Sequence, residues 1–111
     1  MTTITIPNLF DEFEDIDIGL TPAQRFAKFH SANPHVYEAL KKLALDLVER
    51  GHERIGIGML FEVLRWQHAM RTTDPDFKLN NIYRSRYARL LMDQEPRLAG
   101  VFETRRLQSV D

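Results

Sequence analysis

Apolar residues recur along this chain at the spacing of an α-helix, in several runs separated by proline, glycine and asparagine signals. The clearest run is Val36, Leu40, Leu43 and Leu47, at intervals of four, three and four, with Tyr37, Ala44 and Val48 widening the stripe. Asn33-Pro34 opens that helix and Gly51, after Arg50, closes it. A shorter helix precedes it. Thr21 is its N-cap, Pro22 its first helical residue, and Phe26, Phe29 and Ala23 its buried side. It must end before Asn33-Pro34, because a residue preceding proline is pushed out of the α region.

Arg54 to Arg71 reads as a third helix, with Ile57, Leu60, Phe61 and Leu64 on one side and either His68 or Trp66 continuing it. The β-branched Ile55 and Ile57 leave room for a short strand at its start. Trp66, with Phe61, Phe26 and Phe29, is expected in the core, since aromatics at helical spacing usually bury themselves. Thr72 to Asp76 has the composition of a turn. A fourth helix is expected from an Asn80 or Asn81 cap to about Glu95, with Tyr83, Tyr87 and Leu90 or Leu91 facing inward. Arg97 to Leu107 reads as a short helix or as a strand pair turning at Gly100.

These elements predict a mainly α fold: a compact domain of four to five helices over residues 21–107, with a winged-helix-like variant carrying a small C-terminal β-hairpin as an option. Residues 1–20 read as an acidic, flexible N-terminal tail. Phe10, Phe13, Ile16 and Ile18 are interleaved there with acids, a pattern of segments that order on docking.

Composition narrows the setting. A chain of 111 residues, 43% hydrophobic and 28% charged, is enough for one real core and too well mixed for wholesale disorder. No apolar stretch is long enough to span a bilayer and no secretory leader is recognisable, so neither membrane insertion nor secretion is expected. The absence of cysteine rules out disulfides, thiolate metal sites and a cysteine nucleophile, and suits the cytoplasm.

Charge changes the picture more. The net charge of −1 is unevenly spread. Met1 to Leu20 contains five acids and no Lys or Arg, whereas Phe77 to Arg106 contains seven bases against three acids, a local +4. A binding face depends on local field, so the second segment stands out. Lys78, Asn80, Asn81, Arg84, Ser85, Arg86 and Arg89 are residue types that contact phosphates and base edges, and they gather at the start of the fourth helix. Arg105 and Arg106 would join them on a wing. With the third helix before it, this segment resembles the second half of a helix-turn-helix, although the Arg71–Asn80 connection exceeds that motif's usual turn.

Other chemistries lack support. The four histidines form no metal-ligand spacing, the serines lie outside any nucleophile-elbow context, and Gly56-x-Gly58 is too short to cradle phosphate. No catalytic residue, metal or cofactor is therefore assigned, and the chain is read as a non-enzyme.

Phe26–Tyr37 (FAKFHSANPHVY), Arg50-Gly51, Leu64-Arg65-Trp66 and Phe77–Leu91 (FKLNNIYRSRYARLL), with Phe102 and Arg105, resemble a family of short uncharacterised phage and prophage proteins. The similarity covers roughly residues 22–107. It implies phage biology, namely DNA binding, gene regulation or interference with a host protein, and transfers no site residues. The resulting expectation is a regulatory protein that binds duplex DNA through its Arg-rich helix, as a possible homodimer. The alternative is a non-enzymatic module that modulates a host or phage protein, presenting the same arginines to an acidic surface or its N-terminal tail as the ligand.

Overall fold

The structure, a computed structural model, describes residues 19–73 and 78–104. Four α-helices account for most of them: α1 (Pro22–Ala32), α2 (Pro34–Glu49), α3 (Ile57–Arg71) and α4 (Arg84–Gln94). Short 3-10 turns at Asn81–Tyr83 and Pro96–Leu98 bracket α4. The fold is mainly helical, as the apolar spacing predicts. Residues 1–18 of the expected tail and residues 74–76 of the expected turn lie outside the described residues.

Local chemistry sets the helix ends. At α1, the Thr21 hydroxyl accepts from the Gln24 amide at 3.1 Å, and the Gln24 side chain accepts from the Thr21 amide at 2.9 Å. That reciprocal pair is a capping box, and it satisfies two otherwise orphaned donors. At the end of α1 the Asn33 side chain donates to the Phe29 carbonyl at 3.0 Å, and Pro34 starts α2 at once. α2 ends in a Schellman motif: the Gly51 amide donates to Val48 and the His52 amide to Leu47, both at 3.0 Å. The motif needs a left-handed residue, and Gly51 supplies φ +101°.

α2 packs on α1, α3 and α4, and the Pro96–Leu98 turn closes the end of the core against α2 and α4. Val36, Leu40, Leu60, Phe61, Tyr87, Leu91 and Leu98 are fully buried. Each contributes roughly 1.5–3 kcal/mol relative to an exposed position. Tyr87 is the centre of an aromatic cluster. Phe26 of α1 meets it edge-on at 4.7 Å between ring centroids, His30 approaches at 5.8 Å and Phe61 of α3 at 6.1 Å. Phe29 stacks on the neighbouring Tyr83 at 4.8 Å. A helix as short as α1 needs such docking, because three turns alone are marginal in water.

Three expectations change. The third helix begins at Ile57, not Arg54; Ile55 instead forms a single parallel bridge with Phe102, its amide donating to the Val101 carbonyl at 3.0 Å. Among the described residues there is no strand, so the winged-helix variant and its C-terminal hairpin are not supported. The reason lies in the side chains. Leu98, Val101 and Phe102 are all buried, so adjacent residues enter the core where a one-sided hairpin would alternate. Gly100, at φ +74°, turns the chain so that they can do so. Finally, Trp66 is 63% exposed and not a core residue. At about 100° per residue it lies some 200° around α3 from Leu64, whereas His68 returns to the inward side.

Candidate nucleic-acid interface

The Lys78–Arg89 segment begins in an extended connection and enters α4 through a 3-10 turn. Leu79 anchors it in the core. The Asn80 side-chain oxygen accepts from the Ile82 amide at 3.0 Å, capping the turn. The first helical residue is therefore two positions later than an Asn81 cap would place it, and three later than an Asn80 cap would, because Asn80 caps Asn81–Tyr83 before the backbone settles into α4.

Arg65, on α3, holds this connection from the other side. Its Nη2 donates to the Leu79 carbonyl at 2.6 Å and to the Asn81 side-chain oxygen, and its Nη1 donates to Glu62 at 3.0 Å. Its guanidinium also sits over the Phe61 ring, 5.9 Å from the centroid. Sequence reasoning assigned Arg65 no role. Its partners on the segment lie 14 and 16 residues away, beyond the reach of any helical periodicity. The planar guanidinium fork suits this site, since it serves two acceptors on the segment and one on its own helix.

Arg84 opens α4 and lies across α3. Its Nε donates to the Asn81 carbonyl at 3.3 Å, and its Nη1 would be 3.2 Å from a Cβ built on Gly58. Glycine at 58 thus leaves the space that the guanidinium occupies. Tyr83, Tyr87, Ala88 and Leu91 form the buried side of α4. Ser85, Arg86 and Arg89 are half-buried and lie away from that stripe, while Lys78, Asn80, Asn81 and Arg84 are exposed. The structure therefore brings seven of the nine predicted residues into one segment. Arg105 and Arg106 lie outside the described residues.

The two asparagines differ from the sequence expectation in one respect. Their side-chain oxygens are committed to Ile82 and Arg65, so each has its amide nitrogen to offer an incoming group. They can donate to phosphate or to a base acceptor, while each oxygen, already accepting one bond, keeps a second lone pair.

Elsewhere the described residues contain no group of three or more His, Cys, Asp or Glu that could hold a metal. A cleft beside the Ile55 bridge is lined by Arg54, Ile55, Gly56, Ile57 and Glu103, with only one acid and one base. No described helix is long and apolar enough to cross a membrane. No family model, curated protein or solved structure matches the chain. Fold and segment together define a small helical domain with a basic segment braced against its third helix.

Proposed function

We propose that the protein binds duplex DNA through the start of α4, in a regulatory role of the phage type. Lys78, Arg84, Arg86 and Arg89 supply the positive charge; Asn80, Asn81 and Ser85 add neutral donors. The observation that carries this reading is the bracing of the segment by Arg65, which fixes Leu79 and Asn81 and so presents Lys78 and Arg84 from a held backbone. Pre-organised cations lose less conformational freedom on meeting a phosphate backbone than cations on a loose loop. Contacts to phosphate give affinity and register, and base reading falls to few side chains here, so affinity should exceed sequence preference.

Fluorescence anisotropy with random-sequence duplex DNA tests this. Binding in the micromolar range is expected at about 50 mM salt, weakening by orders of magnitude at about 200 mM as counterions cease to drive it. The double substitution Arg84→Glu, Arg86→Glu should abolish the signal. Equal affinity of that variant, or no binding at low salt, overturns the reading and leaves the protein-binding alternative.

A further inference from the structure

The outward side of α3 carries an apolar stripe that the described fold leaves in solvent. Met59 is 51% exposed, Trp66 63% and Met70 67%, with the half-buried Val63 between them. Their spacing is four, three and four, the interval of a coiled-coil seam. The inward side of the same helix is already apolar through Leu60, Phe61 and Leu64. A helix that is apolar on both sides is normally buried on both.

The stripe is symmetric. Met59 and Met70 lie equally far from the midpoint between Leu64 and Arg65, and so do Val63 and Trp66. A two-fold axis through that midpoint lays a second α3 antiparallel on the first. Met59 then meets Met70 of the partner subunit and Val63 meets Trp66 of the partner subunit, small opposite large. Such a surface complements itself, as a two-fold interface must. Its flanks raise no objection: Gln67 and Ala69 are neutral, and Glu62 already pairs with Arg65 at 3.0 Å. A partner recognised by charge would need a rim of one sign, whereas this flank carries Glu62 with its charge offset by Arg65.

We infer that α3 is a homodimer interface, two copies packing antiparallel through Met59, Val63, Trp66 and Met70. The exposed apolar area is on the order of 400 Å². That is about half of what each partner buries in a stable complex. The dimer is accordingly weak, and forms and dissolves with concentration. This inference does not depend on DNA binding, and its test contains no DNA.

Because the chain has no cysteine, introduced ones report register cleanly. In the antiparallel pair, position 59 faces position 70, and each is about 16 Å along the axis from its own counterpart. An equimolar mixture of the M59C and M70C proteins should therefore cross-link on mild oxidation, at least about five-fold more than either protein alone, because disulfides need Cα atoms within about 7 Å. Sedimentation of the wild-type chain should show a concentration-dependent dimer. The double variant M59K/M70E should keep it, since opposite charges face each other, and M59K/M70K should lose it. A wild-type chain that stays monomeric to about 500 µM overturns the inference. So does cross-linking within either single variant as strong as in the mixture, or a monomeric M59K/M70E protein.

Discussion

The guanidinium of Arg65 donates to the backbone carbonyl of Leu79 at 2.6 Å, tying the middle of α3 to the chain that leads into α4. The same nitrogen reaches the Asn81 side chain, so one residue holds the segment at two points.

Arg65→Ala should lower stability by about 1–2 kcal/mol, the range of a charge-assisted bond reduced for a side chain about a third exposed. Arg65→Lys should recover less than half of that, because an ammonium cannot present the planar fork that reaches two acceptors side by side. Urea unfolding of the three proteins measures both effects. A lysine variant as stable as the wild type would show that charge alone suffices.

Tyr87 is fully buried and its hydroxyl has no hydrogen-bond partner among the described residues. A buried hydroxyl without a partner costs about 1–3 kcal/mol, so Tyr87→Phe should leave stability unchanged or raise it by up to about 1 kcal/mol. A loss greater than about 1 kcal/mol on removing one oxygen would mean that the hydroxyl is satisfied after all.

The same residue sets an alkaline limit. Burial, with a smaller contribution from Tyr83, holds the Tyr87 hydroxyl far above its ordinary value of about 10. The folded state disfavours the tyrosinate that the unfolded chain forms freely. This contribution is therefore fully present below about pH 10 and is lost as pH rises from there toward the folded value. Urea midpoints should fall between about pH 9 and pH 11, and fall less steeply in Tyr87→Phe. Parallel curves for the two proteins would assign the alkaline loss to other groups, Tyr37 first, whose hydroxyl is raised by burial as well.

Gly58→Ala tests the seat of Arg84. The new methyl would stand 3.2 Å from the end of a flexible side chain, which can shift by a few tenths of an ångström. Alanine favours helix by up to about 1 kcal/mol, so the melting temperature should hold or rise slightly. Gly58→Leu should displace the guanidinium and weaken DNA binding in the anisotropy assay while the fold persists. Undiminished binding would show that Arg84 need not lie on α3.

Thr21→Ala removes the side-chain half of the capping box and should cost about 0.5–1.5 kcal/mol. Thr21→Ser should restore most of it. Hydrogen exchange at Gln24 and Arg25 would localise the effect to the first turn of α1, and a uniform change across the protein would argue against a local cap.

Most of the helix boundaries were legible because their causes are local. Thr21-Pro22, Asn33-Pro34 and Gly51 act within one turn of themselves, and Val36, Leu40, Tyr83, Tyr87 and Leu91 repeat at the helical period. The C-terminal segment was not legible. Gly100 in a run of mixed polarity suits a hairpin and a core-filling turn alike, and the core that Val101 and Phe102 enter exists only after the helices have packed. For the candidate site, residue types and spacing marked the segment, but they did not reveal that Asn80 and Asn81 spend their oxygens on Ile82 and Arg65.

By itself the sequence determined the mainly helical class, the capped start of α1, the proline start of α2, the inward stripes of α2 and α4, and the concentration of arginine near residue 84. Each follows from interactions among residues within about one turn of one another, which do not wait for the rest of the chain. Only the tertiary structure decided that Trp66 faces solvent, that Arg65 braces the basic segment, that Arg84 rests over Gly58, and that Phe102 pairs with Ile55. Those outcomes depend on which helix sides are covered once α2, α3 and α4 pack. α3, apolar on both sides, carries no local signal of which side that will be.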